Sequence, residues 1–177
     1  QTITPASLLP TITGPVLIDA YTQPGSARNT ASAGWNPILC VVLDGANQLT
    51  GVYGFNVDTS ALPQATVAIE GMAFSGHAIA AMQFVGGRSH RFVGNQIGGF
   101  VGSNLLPSGT GVRVGGSVEG ARIGGPDPDE RNVIVEALGI GVNVSGSGSI
   151  QPSLGVVENN YIGTQSGGDI RGNQRGV

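Results

Sequence analysis

Apolar residues in this chain come in short runs that alternate with polar ones. In GIGVNVSG, Ile140, Val142 and Val144 point one way, and Asn143 and Ser145 the other. In TGVRVGG, Val112 and Val114 face in and Arg113 faces out. A period of two describes strands that bury one face. With 31 Gly and 10 Pro among 177 residues, long helices are not expected.

The runs also repeat. Aligning Ile-Gly pairs brings together RFVGNQIGG from Arg91, VEGARIGG from Val118 and VVENNYIGT from Val156. The opening apolar position is Phe92, Val118 and Val157, and the closing one is Ile97, Ile123 and Ile162. Between them stands a Gly or Asn column, Gly94, Gly120 and Asn159. A weaker copy, IEGMAFSG, puts Ile69, Gly71 and Phe74 in register. Gly and Asn tolerate positive φ, so the column predicts one recurring left-handed corner between two short strands. That unit is the rung of a coil.

The spacing agrees in part. Phe74 to Ile97 is 23 residues and Ile97 to Ile123 is 26, but Ile123 to Ile162 is 39. Ile134, in RNVIV, repairs the period, although the pattern does not say how the chain crosses from Ile123 to Ile134. Repeats of this length fit a leucine-rich repeat or a β-solenoid. No Leu-rich consensus is present, and the abundance of Gly speaks against the helical side of a horseshoe. The expectation is an all-β solenoid with Ile69, Phe74, Phe92, Ile97, Val112, Val114, Ile123, Ile140, Val142, Val144, Val157 and Ile162 inside.

Composition narrows the function classes. Charged residues are only 11%, the net charge is −3, and all eight basic residues are Arg. No basic cluster supports nucleic-acid binding, and no apolar run approaches a membrane span. Cys40 lies in the apolar run ILCVVLD and reads as a buried free thiol. The chain starts at Gln1 and ends on Gly176-Val177, which matches the start of GVRVGG and GVNVSG. Residues 1–177 therefore read as a single coil domain, either an N-terminal fragment of a longer coil or a unit of an assembly.

Three stretches carry a family resemblance. LLPTITGPVLIDAYTQPG (Leu8 to Gly25), IGGPDPDERNVIV (Ile123 to Val135) and ENNYIGTQSGGDIRGNQRGV (Glu158 to Val177) resemble exported bacterial right-handed parallel β-helix proteins. In that family, of the pectin-lyase-like superfamily fold, LP-x-ITGPV-x-IDG-x-TQPG opens the helix. Later coils alternate GN-x-IGT with IGG…RNVIS. Here Ala20 replaces the Gly after Asp19, and NVIVEA replaces NVISGN. The resemblance implies a right-handed parallel β-helix of about five to seven coils, secreted or displayed on a bacterial cell surface. It carries over no catalytic set.

Candidate chemistry is sparse. A glycosidase would need two carboxyls flanking a sugar bond. Asp19, Asp44 and Asp58 instead end or follow apolar strands, and Asp44-Gly45 reads as a turn. The only acidic cluster, GGPDPDER, offers Asp127 and Asp129 as Ca²⁺ ligands, or simply as parts of a Pro-stiffened loop. His77 in SGHAI faintly echoes a pectin-hydrolase motif and otherwise reads as a turn residue. Arg113, Arg122 and Arg131 are the mid-coil candidates for a lyase base, and none sits in a lyase motif. Tyr21 and Trp35 could stack on sugar rings or cap the coil end.

The expected function is a non-catalytic extracellular module with a structural, adhesive or assembly role. The alternative is a polysaccharide-binding or polysaccharide-degrading fragment, which rests on fold analogy alone. No catalytic residue and no cofactor is assigned. The partners expected are other copies of the chain, stacked through open coil ends, and surface polysaccharide.

Overall fold

The computed structural model describes residues 1–46, 51–101, 104–105, 107–146, 155–164 and 171–177. The described chain is all-β apart from two short 3-10 turns, Ala20–Thr22 and Pro128–Glu130. Its strands form three parallel sheets. Sheet A stacks β1 (Thr2–Ile3), β3 (Val41–Asp44), β6 (Met72–Ser75), β9 (Gln96–Ile97), β14 (Val133–Ile134) and β17 (Tyr161–Ile162). Sheet B stacks β4 (Tyr53–Asp58), β7 (Ala80–Val85), β12 (Thr110–Gly115) and β15 (Val142–Val144). Sheet C stacks β2 (Val16–Asp19), β5 (Val67–Glu70), β8 (Arg91–Val93), β13 (Arg122–Gly124) and β16 (Val156–Glu158). A small antiparallel pair, β10 (Phe100–Val101) and β11 (Asn104–Leu105), branches off between β9 and β12.

The chain visits the sheets in a fixed rotation, C then A then B, and gains one strand position per circuit. Residues in register form rows that face a shared core. On sheet C the row is Ile18, Ile69, Phe92, Ile123 and Val157. On sheet A it is Leu43, Phe74, Ile97, Ile134 and Ile162. Sheet B adds two rows, one through Phe55, Met82, Val112 and Val142, the other through Val57, Phe84, Val114 and Val144. Most of these side chains have no solvent contact, and Phe74 packs on Phe55 and Phe92 with centroids 5.8 and 5.7 Å away. Three strands per circuit, each burying one face, enclose what one two-faced sheet would leave wet.

Three expectations need correction. Ile123 does not match Ile97 and Ile162; it stands over Phe92 and Val157, and Ile134 takes the sheet A position. The corner between those sheets spans one or two residues in most circuits, but residues 125–132 fill it after β13. An alignment anchored on Ile-Gly therefore slid by one strand, from sheet A to sheet C. Gly120 is left-handed as expected, at φ 63°, but not at the corner of Gly94 (65°) and Asn159 (54°). Gly71, at φ 72°, shares that corner, whereas Gly120 belongs with Ser89 (51°) where the chain turns into sheet C, beside the Arg88–Glu119 bridge. Lastly, Ile140 is half-buried although Arg175 bridges it, and Val144 is 40% exposed because β12 is the only strand beside β15 among the described residues. Val157 and Ile162 are partly buried for the same reason and still pack on the core.

Gly176 accepts from Val142 N at 2.9 Å just as Gly141 accepts from Val112 N at 2.9 Å. The matched GV pairs thus occupy equivalent positions in successive circuits. Of the third family-like stretch, residues 165–170 lie outside the described residues.

Candidate functional site

The corner between sheets C and A carries two insertions, residues 20–40 before β3 and residues 125–132 before β14. They meet on one side of the molecule, where four of the seven described ion pairs lie or adjoin. Beneath them runs a column of asparagines, Asn95 and Asn132 fully buried and Asn160 half-buried. Asn95 Nδ2 donates to Ile69 O at 2.9 Å and its Oδ1 accepts from Met72 N at 2.9 Å. Asn132 repeats this one circuit on, donating to Phe92 O and accepting from Asn95 N, each at 2.8 Å. Asn160 donates to Ile123 O at 2.8 Å and accepts from Asn132 N at 3.1 Å. Sharp corners leave buried backbone groups without ladder partners, and one amide side chain supplies both a donor and an acceptor. Asn173 does the same at the next corner, between Ile134 O and Ala137 N.

The first insertion begins with Asp19 capping the Ala20–Thr22 turn through Tyr21 N at 2.9 Å. Tyr21 then lies against Gly71 and Gly94, where a Cβ would come within 2.7 Å of its ring at Gly71 and within 2.6 Å of its hydroxyl at Gly94. Both glycines are required twice over, by this approach and by their positive φ. Tyr21 Oη donates to Gly94 O at 2.8 Å. Burial pushes its pKa up to about 12, against the lowering pull of Arg28.

Arg28 sits 4.5 Å from the centroid of that ring and faces three carboxylates: Glu70 at 3.0 Å, Asp19 at 3.6 Å and Asp129 at 3.6 Å. Beside it Arg91 pairs with Glu130 at 2.9 Å. Arg131 is buried and, among the described residues, pairs with no carboxylate. Its guanidinium donates to Gly34 O at 2.6 Å, Ser32 O at 3.0 Å, Ala31 O at 3.3 Å and Asn159 Oδ1 at 2.8 Å. The Tyr161 ring lies 5.1 Å from it, and Tyr161 Oη accepts from Gly34 N at 2.8 Å. Asn29 Nδ2 completes the clasp on Pro128 O at 2.7 Å.

The sequence-derived candidates fall into place around this corner. Tyr21, Trp35, Asp127 and Asp129 all belong to the two insertions. Trp35 is half-buried, with Nε1 3.4 Å from Gln96 Oε1. Among the described residues no three His, Cys, Asp or Glu side chains are placed to hold a metal. Asp19, Asp44 and Asp58 end β2, β3 and β4 on three different sheets. Asp44 receives Ala46 N, the turn expected of it, and hydrogen bonds from Ser60 hold the Asp58 carboxyl below its ordinary range. Arg122 pairs with Glu158 at 3.2 Å, and Arg113 reaches Tyr53 Oη at 3.4 Å. Cys40 is a half-buried free thiol rather than a fully buried one.

His77 lies in the connection between β6 and β7, as a turn residue would. It is fully buried, its Nε2 3.2 Å from Leu43 O, and burial lowers its pKa to about 4. His90, which the pattern did not single out, is also buried. It accepts from Val67 N at Nδ1 (2.9 Å), donates from Nε2 to Gly86 O (2.8 Å) and stacks on Phe84 at 4.8 Å.

No described helix is long and apolar enough to cross a membrane. No family model, curated protein or solved structure matches the chain.

Proposed function

We propose that the chain is a right-handed parallel β-helix acting as a non-catalytic extracellular or cell-surface module, with a structural, adhesive or assembly role. The rotation through three parallel sheets supports the coil, and the six strands of sheet A agree with five to seven turns. The opening motif from Leu8 to Gly25 and its resemblance to exported bacterial proteins support the location.

One observation carries the functional reading: the convergent polar cluster is closed on itself. Acid–base chemistry needs groups that face a substrate and tune each other. At this corner Glu70 and Asp129 face Arg28, Glu130 faces Arg91, and Arg131 is occupied by backbone carbonyls of the opposite insertion. These bonds hold two insertions to the coil.

The purified protein is expected to leave acidic and neutral polysaccharides intact, with or without Ca²⁺, when released reducing ends and unsaturated products are assayed. Turnover that disappears in Glu70→Gln or Asp129→Asn would replace this reading with an enzyme.

A further inference from the structure

The chain contains two histidines, and both are fully buried. They stand on either side of β7, His77 in the connection from β6 and His90 in the connection to β8. Each reaches back toward the circuit that holds β4. His77 Nε2 donates to Leu43 O at 3.2 Å, and a Cβ on Gly54, within β4, would come within 3.0 Å of that nitrogen. His90 Nε2 lies 3.5 Å from the hydroxyl of Thr59, the residue after β4. Ile79 N donates to Val52 O and Thr59 N to Val85 O, each at 3.0 Å, so the two histidines bracket the ladder between β4 and β7.

Both sites fit the neutral ring. His77 Nδ1 is buried without a hydrogen-bond partner and faces Gly45, whose Cβ would come within 2.5 Å of it. His90 Nδ1 accepts from Val67 N at 2.9 Å while Nε2 donates to Gly86 O at 2.8 Å. A second proton would put an unpartnered N–H into the first site and set N–H against N–H in the second. Asp44, at the end of β3, is the charged group that acts on His77. Asp58, at the end of β4, is exposed and bonded to Ser60. Thr59, Val67, Phe84 and Gly86, which touch His90, carry no charge, and Arg88 and Arg91 beside it pair with Glu119 and Glu130.

The sheet C side is fastened without histidine. Tyr21 bonds to Gly94 O, Arg28 pairs with Glu70, and Arg131 holds the insertion through Gly34 O. None of the seven described ion pairs involves a residue from 41 to 66.

We propose that β4 is an acid-released strand: protonation of His77 and His90 frees it from β7, while sheet C and the two insertions stay in place. Phe55 and Val57 stand beside Met82 and Phe84 in the ladder, so opening bares an apolar strand edge able to pair with another strand. Burial lowers the His77 pKa from 6.5 to about 4, so the open state takes up the proton first, which favours opening by about twentyfold between pH 7 and pH 5. Burial acts on His90 in the same direction.

The test is native-state amide exchange of the full chain at pH 7 and pH 5, corrected for intrinsic rates, with the imidazole carbons followed by NMR in the same samples. The Val57 and Thr59 amides face β7, because Asp58 N points the other way, to Ile12 O. Their protection should fall at least tenfold at pH 5. They should then exchange at least tenfold faster than Val133 and Val135, whose amides bond to Asn95 O and Ile97 O. Asp58→Asn should keep this response, and the double variant His77→Gln, His90→Gln should lose it. Imidazoles that titrate while β4 stays protected would overturn the proposal. So would β4 amides that exchange no faster than Val133, or an acid response that survives in the double variant.

Discussion

At the residue scale, the corner asparagines do work that no apolar side chain could replace. Asn132→Ala would leave Phe92 O and Asn95 N buried without partners. An unmet buried group costs ~1–3 kcal/mol, so urea unfolding should report a loss of at least that size. Asn143→Ala, on the outward face of β15, should stay within ~0.5 kcal/mol of the parent. The signal for this column was present in the sequence: Asn95, Asn132 and Asn160 each stand two residues before Ile97, Ile134 and Ile162. Weight placed on the Ile-Gly pair hid it, because Ile123-Gly124 imitates that pair on another sheet. The left-handed corner was legible from the same columns, since positive φ restricts the residue type directly. The histidines were not legible, because burial of a lone His depends on neighbours from other circuits.

At the element scale, the rows of the core followed from alternation, and their truncation should scale with enclosure. Ile97, with no solvent contact, should lose ~2–5 kcal/mol on replacement by Ala. Ile162→Ala should cost less than Ile97→Ala, because its side chain is only partly enclosed. The two insertions were legible only as interruptions. Composition marked residues 20–40 and 125–132 as polar and Pro-containing, but their mutual packing arises because both occupy the same corner in different circuits. Arg131 joins them, and its planar fork matches carbonyls that an ammonium group could not span. Arg131→Lys should therefore lose charge-assisted bonds of ~1.5–3 kcal/mol each. Hydrogen exchange should show faster opening at residues 29–36, with little change at Phe74 or Ile97.

At the scale of the whole molecule, stability should depend on pH through the core rather than through the surface. Seven ion pairs are described, most of them partly exposed, and such pairs contribute little each. His77 differs because its neutral form is the one that fits. Its Nε2 meets Leu43 O, Gly45 and Gly54 pack against its ring, and Asp44 is the charged group that acts on it, opposing the effect of burial only in part. Burial lowers the His90 pKa as well, opposed in part by its bond to Gly86 O, and its Nδ1 accepts the Val67 N–H in the neutral form. Both folded pKa values are lowered, so between the folded and unfolded values the unfolded chain binds more protons, and stability rises with pH. For His77 the contribution is complete above 6.5 and is lost as pH falls toward about 4. A shift of that size corresponds to ~3 kcal/mol. Urea midpoints measured from pH 8 to pH 4 should fall most steeply below 6.5. His77→Gln, already lower at pH 8, should show a flatter profile. A parent profile that is level from 7 to 4.5 would mean that the core admits the imidazolium, and the assignment of His77 as a neutral packing residue would be lost.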